Sequence, residues 1–322
     1  ATYKPYVPKK KRPKTETEPQ QDRMVGKRIQ WFPGHMTKAK REIAESLKMV
    51  DIAIELCDAR IPFSSRNPQI KEILGVKPSI LLMNKCSLSD PKANNAWKEY
   101  YKNNGENVLF TDFIAGTGVN EIIPLIREIL KEKLEAFERK GMKGRLPRAM
   151  VMGITNAGKS TLINRLYGTT KTKTEDRPGV TRMQQWVTVK GGIELLDTPG
   201  ILWPRFEDEN TGLNLAYIGS IKDEIIDKEE IAVLLCCKLR DDYPELLAER
   251  YKLEVSELSN LLPHELFEMI GKKRGFLISG GEVDSARCAA IILDEFRGGK
   301  IGRISLEKPP MHGMEKRKSD ES

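Results

Sequence analysis

Cysteine is scarce. Cys57, Cys86, Cys236, Cys237 and Cys288 are odd in number, scattered and never spaced as a CxxC pair. That pattern excludes a disulfide framework or a zinc ribbon and predicts buried, reduced thiols. Histidine is scarcer still: His35, His264 and His312 lie far apart, so no His-rich metal site is expected. No apolar run approaches the ~20 residues that a membrane-spanning helix requires. The N-terminus is basic and proline-rich, unlike a signal peptide, and the expected address is the cytoplasm. Internal repeats are absent. What remains, 39% hydrophobic and 31% charged residues over 322 positions, suits a soluble protein of two domains, or one large domain with appendages.

Negative charge is lacking at one end. Residues 1–28 hold nine Lys/Arg against Glu16, Glu18 and Asp22, a net +6 out of the chain's +8. Such an arm attracts phosphate backbones and releases counterions on binding. Its composition, with Pro5, Pro8, Pro13 and Pro19, equally describes a solvated disordered tail. Both readings stay open.

Beyond the arm, Trp31-Phe32-Pro33-Gly34-His35-Met36 reads as a turn, and Thr37 as the N-cap of a helix reaching about Val50. Short apolar runs at 52–56, 80–83, 108–110, 149–152, 186–189 and 193–196 read as strands. Helical segments at 91–103, 119–139 and 159–167 alternate with them. Alternation of this kind predicts an α/β, doubly wound, mainly parallel sheet. From about 212 the strands stop, and 212–227, 228–239, 243–251, 256–271 and 282–296 all read as helices. The expected organisation is a basic extension over 1–28, an α/β domain over 29–211, an all-helical domain over 212–308 and a flexible tail over 309–322.

The strongest motif is Gly153-Ile154-Thr155-Asn156-Ala157-Gly158-Lys159-Ser160-Thr161, which fits GxxxxGK[ST] between a strand and a helix. Backbone N–H groups of such a loop, here including Ala157, Gly158 and Thr161, curl around phosphate oxygens at the helix N-terminus. Lys159 then reaches the β- and γ-phosphates, and the Ser160 hydroxyl suits Mg2+. Downstream, Arg177-Pro178-Gly179-Val180-Thr181 ends in a hydroxyl that can join Mg2+. Asp197-Thr198-Pro199-Gly200 follows a strand, where a Mg2+ carboxylate and an N–H for the γ-phosphate belong. This reading requires Asp197 and the P-loop at the same edge of the sheet.

GTPases read guanine with an NKxD motif after a later strand. Here Asn84-Lys85-Cys86-Ser87 stands upstream of the P-loop, directly after a strand. The motif order is therefore circularly permuted. The segment after Gly200 then leads straight into the helical region, a short path from the γ-phosphate to that region.

The ordered set formed by Pro33-Gly34-His35-Met36, Asp58-Ala59-Arg60-Ile61-Pro62, Ser65-Arg66-Asn67-Pro68, Gly153–Thr161, Asp176–Thr181 and Asp197–Pro204 resembles the ribosome biogenesis GTPase A family, the YlqF-type circularly permuted P-loop GTPases. Ser279-Gly280-Gly281 and Gly302-Arg303-Ile304-Ser305 extend the resemblance, which runs from about Ile29 to Glu307 and omits the basic arm. It implies hydrolysis of GTP to GDP and phosphate, stimulated by the ribosomal particle. It also implies action in late maturation of the large ribosomal subunit, with the subunit precursor and rRNA as partners and no DNA. It credits His35 with orienting water, a role that Ile201, standing where many GTPases keep a glutamine, leaves vacant. Asn156 is implied as a K+ ligand beside the phosphates, with loop stabilisation as the plainer alternative.

The chain also departs from that pattern. Ser87 replaces the aspartate whose carboxylate accepts two hydrogen bonds from guanine, so guanine selectivity is expected to weaken. Asp90 is a substitute if the loop bends. The second base-contacting element aligns near Asp112-Phe113 and is likewise altered. Two other readings follow: a nucleotide-regulated RNA-binding module with little hydrolysis, and a P-loop hydrolase of relaxed base choice. Asp58 and Arg60 read as a structural pair, Trp186 as core or packing, and Lys272-Lys273-Arg274 as a solvated helix end or an RNA contact. Oligomeric state, the rRNA site and the kind of ribosome are left open.

Overall fold

The computed structural model describes residues 36–142, 144–168, 185–197 and 209–310. All belong to one compact unit, Phe32–Ser322; a second unit, Ala1–Trp31, lies outside the described residues.

Among the described residues six strands form one sheet: β1 (Ile52–Asp58), β2 (Ser79–Asn84), β3 (Asn107–Phe110), β4 (Arg148–Gly153), β5 (Gln185–Val189) and β6 (Ile193–Asp197). Their spatial order is β3-β2-β1-β4-β6-β5, parallel throughout except for β5, which runs antiparallel to β6. Every residue of β1 is buried, because this central strand is covered on both faces. Alternation puts Ala53, Glu55 and Cys57 on one face. Helices α1 (Met36–Leu47), α2 (Pro68–Leu74) and α3 (Pro91–Asn103) supply the apolar side chains there. Ile43, Leu47 and Ile70 pack with Ala53, Met150 and Met152; Trp97 and Tyr101 pack with Cys57, Leu81 and Met83.

Glu55 is a carboxylate on this otherwise apolar face. The Arg66 guanidinium bridges Glu55 and Glu106, at 3.2 and 2.8 Å, and the Asn67 N–H reaches Glu55 Oε1 at 3.3 Å. Burial raises the Glu55 carboxyl above its ordinary range, with Arg66 pulling it back.

The expected strands sit within two residues of where the apolar runs place them. Four helical expectations change. Thr37 lies inside α1, not at its cap. The 119–139 segment is divided at Leu130 into α4 (Val119–Ile129) and α5 (Lys131–Arg139). The helix expected over 212–227 is α7 (Glu209–Tyr217), which ends because Gly219 adopts φ +75°. The 256–271 segment splits into α10 (Val255–Leu258) and α11 (Pro263–Lys273), since proline holds the preceding Leu262 extended. Between them in the chain and in number stand α6 (Lys159–Tyr167), α8 (Lys228–Asp242) and α9 (Pro244–Tyr251); α12 (Ser285–Arg297) comes last, capped by Asp284.

Trp186 is not a core residue. It lies on the edge strand β5, 41% exposed, with the Arg148 guanidinium 4.9 Å from its ring. The cysteines follow expectation: Cys57, Cys86, Cys236 and Cys288 are buried free thiols, and Cys237 is half-buried. Among the described residues no helix is long and apolar enough to cross a membrane.

Helix α8 is the hub of the helical region, contacted by α7, α9, α11 and α12. Residues 301–307 then return to the sheet. Ile304 N–H donates to Leu88 O at 2.9 Å, and Leu306 N–H to Arg60 O at 2.8 Å.

Candidate nucleotide-binding site

In a parallel sheet the loops leaving the strand C-termini gather at one edge, where ligands bind. Here those loops carry the sequence motifs. β4 ends at Gly153, and the chain turns through Ile154–Gly158 into α6, which opens with Lys159 and Ser160. Gly158 has φ +101°, and a Cβ there would fall 2.5 Å from Asn84 Nδ2. Only glycine lets the loop pass that close. Lys159 is 8% exposed, and its ammonium donates to the carbonyls of Ile154 and Gly153 at 3.1 and 3.4 Å.

Asn84, the last residue of β2, ties two loops together. Its amide donates to Ala157 O at 2.8 Å and accepts from Phe113 N–H at 3.2 Å. The loop after β2 and the loop after β3 are further joined by Cys86 N–H to Thr111 O at 3.0 Å and by the Ser87 hydroxyl, which donates to Asp112 Oδ2. Asp112 also holds its own turn: Oδ1 accepts from the N–H groups of Ile114 and Ala115, both at 2.9 Å. Asn84, Ser87, Asp112, Phe113, Ala157 and Gly158 are therefore one connected group. On β6, Asp197 pairs in parallel register with Val151 of the P-loop strand, so both strands end at this edge. Asp90 is drawn elsewhere. Its carboxylate caps α3, accepting from Lys92 N–H at 2.8 Å, so the loop does not bend to bring it to Ser87's place. His35, Thr181 and Gly200 lie outside the described residues.

Two features were not read from sequence. First, Lys85 turns away to a buried ion pair. Its ammonium lies 3.2 Å from Asp58 Oδ2, while Arg60 grips the same carboxylate bidentately at 2.9 and 2.8 Å. Burial pushes the Asp58 carboxyl up, but the Arg60 and Lys85 cations outweigh it and hold it well below the carboxylate range. Burial, partly opposed by Asp58, lowers the Lys85 ammonium. The Asp-Ala-Arg tripeptide at a strand end was the available signal. Burial, aided by the Asp112 charge, raises the Cys86 thiol.

Second, the helical region touches the P-loop directly. Asn156 donates to Gly219 O at 2.7 Å; Thr155 and Ser220 exchange hydroxyl-to-carbonyl bonds, both at 2.8 Å. From the other end, Arg303 donates to Ser89 O and Cys86 O at 3.0 Å, clasping the loop after β2. Gly302-Arg303-Ile304-Ser305 was visible as a motif, but nothing in its composition says what it holds. For Gly219-Ser220 the sequence offers no signal beyond a glycine.

A phosphate loop on a strand-turn-helix, a base loop bonded to it and a carboxylate strand beside it define an α/β P-loop GTPase. A family model described as "50S ribosome-binding GTPase" matches residues 148–264. Ribosome biogenesis GTPase A of Bacillus licheniformis is 50% identical over 284 residues, covering 87% of this chain and 98% of the relative. Mitochondrial ribosome-associated GTPase 1 of Mus musculus is 33% identical, covering 86% and 90%. The crystal structure of GNP-bound YlqF from T. maritima is 30% identical with a TM-score of 0.58, covering 84% of this chain and 98% of that one. The chain belongs to the ribosome biogenesis GTPase A family. It binds GTP and hydrolyses it to GDP and phosphate.

Proposed function

We propose that this GTPase acts in ribosome biogenesis, in late maturation of the large subunit in the cytoplasm. It binds rRNA of the subunit precursor, which stimulates its hydrolysis. The observation that carries the nucleotide site is the Asn84 amide, bonded at once to the P-loop at Ala157 and to the second base loop at Phe113. The ribosomal role rests on the family. The basic arm over 1–28 is the feature suited to RNA phosphates.

Phosphoryl transfer needs position and neutralised charge more than covalent chemistry. Lys159 reaches the β- and γ-phosphates by exchanging its carbonyl partners for phosphate oxygens. N–H groups of Ala157, Gly158, Lys159, Ser160 and Thr161 line the phosphates, and Gly200 N–H meets the γ-phosphate. Asn84, Cys86, Ser87, Asp112 and Phe113 surround the base, while the Lys85 ammonium stays with Asp58. Ser160, Thr181 and Asp197 would hold Mg2+, an oxygen-donor set that a hard cation favours. Bound there, the ion would supply charge stabilisation to the phosphates. Asn156 spends its amide N–H on Gly219, which leaves its carbonyl oxygen for K+. His35 orients the attacking water, since Ile201 cannot.

Phosphate release by the full-length chain should be slow alone and rise when large-subunit precursors are added. His35→Ala should bind GTP normally but lose about 10²-fold or more of the stimulated rate. A His35→Ala protein turning over at the full stimulated rate removes His35 from the mechanism. No response to precursors removes the particle as activator.

A further inference from the structure

The edge of guanine that distinguishes it presents two adjacent donors, N1–H and the N2 amino group. A chain that hydrolyses GTP needs acceptors facing them, and a negative charge strengthens the contact. The loop Asn84-Lys85-Cys86-Ser87 ends in a hydroxyl instead. Two carboxylates that flank this loop are committed: Asp58 is buried between Arg60 and Lys85, and Asp90 caps α3. Asp112 is different. It comes from the loop after β3, and its Oδ2 accepts the Ser87 hydroxyl proton. Its Oδ1 is filled by two backbone N–H groups. A carboxylate has about four acceptor positions, so Oδ2 retains one. Ser87, its hydroxyl hydrogen directed at Asp112, presents only lone pairs elsewhere. The two oxygens thus form a paired acceptor with one negative charge, on a residue only 6% exposed and so weakly screened.

We propose that Asp112, acting with Ser87, is the guanine-reading group of this chain: the carboxylate has moved from the first base loop to the second. The inference rests on reading residues 84–87 and 112–113 as the base site. It predicts that Ser87 does not relax base choice. Xanthine replaces the N2 amino group with a carbonyl, which the carboxylate repels. Adenine lacks the N1–H.

The test is displacement of a fluorescent GTP analogue from the full-length protein with Mg2+ by GTP, XTP and ATP. Wild type should prefer GTP to XTP by about tenfold or more. Asp112→Asn supplies a donor, and should lose about tenfold in GTP affinity while gaining for XTP. Its side-chain carbonyl still accepts from Ile114 and Ala115, and a thermal melt confirms folding. If Asp112→Asn unfolds, Asp112→Ser decides the matter: loss of the GTP-over-XTP preference supports the proposal and an unchanged ratio overturns it, and adding Ser87→Asp to it should restore the preference. An unchanged GTP-to-XTP ratio in Asp112→Asn overturns the proposal. Asn84→Ala separates the two levels. If it weakens GTP binding while Asp112→Asn does not, only the Asp112 assignment fails. If neither variant affects any nucleotide, the base-site reading fails with it.

Discussion

Asp58 shows how one side chain near the site holds structure rather than chemistry. It is fully buried, and its carboxylate accepts from the Arg60 backbone N–H at 3.0 Å, the Arg60 guanidinium and Lys85. Arg60 in turn donates to Arg297 O at 3.2 Å at the end of α12. Asp58→Asn leaves a guanidinium buried without its anion, which costs about 3–5 kcal/mol. The folded carboxyl lies below its ordinary 3.8. Its contribution is therefore fully present above about pH 4 and is lost only as pH falls on through the lowered folded value. Urea melts should show wild type well above Asp58→Asn at about pH 7, with the gap beginning to narrow below about pH 4 and most of it still present at about pH 3. A gap already gone at about pH 4 would mean the folded carboxyl is not held charged by Arg60 and Lys85. Sequence showed Asp58 and Arg60 as a pair because two residues of separation at a strand end permit little else. The bond from Ser87 to Asp112 was illegible, because the two lie 25 positions apart across a helix and a strand and neither side chain announces its partner.

Among the elements, α3 carries the next prediction. Asp90 caps it, Pro91 starts it, and Trp97 and Tyr101 anchor its inner face with rings stacked at 5.4 Å. Asp90→Ala removes the cap and should cost about 1 kcal/mol, read as a lower Tm. The GTP-to-ATP preference should stay as in wild type; a changed preference would return Asp90 to the base site. The strands were legible because each is an apolar run bounded by polar turns, covered on both faces. Helices that depend on local periodicity alone, such as α3 and α6, were equally clear. α2 was missed: its seven residues show no full apolar period, and only Pro68 at its first position marks it. The helical region was legible as helices but not in its breaks. Those come from Gly219 turning toward the P-loop and Pro263 restarting the chain, both decided by tertiary contacts or single residues that pattern does not weigh.

At the scale of the whole molecule, the P-loop and the helices are joined without passing through residues 198–204. Thr155 and Asn156 bond Ser220 and Gly219, and Arg297 reaches from α12 to Tyr217 O, Ala216 O and Asp223 at 3.0–3.2 Å. Ordering of the P-loop by GTP should therefore slow hydrogen exchange in α8 and α12. Ser220→Ala deletes one of these bonds, about 1 kcal/mol, and should cut that GTP-dependent protection about fivefold. Equal protection in the variant would show that the link runs elsewhere. The segment 301–307 has its own consequence. Arg303 lies 214 residues beyond the Ser89 carbonyl it pins. A chain emerging from the ribosome completes its phosphate cradle first, and lacks the strap over its base loop until residue 307 has been made. The base loop of a growing chain therefore stands without the two Arg303 contacts that the finished fold gives it.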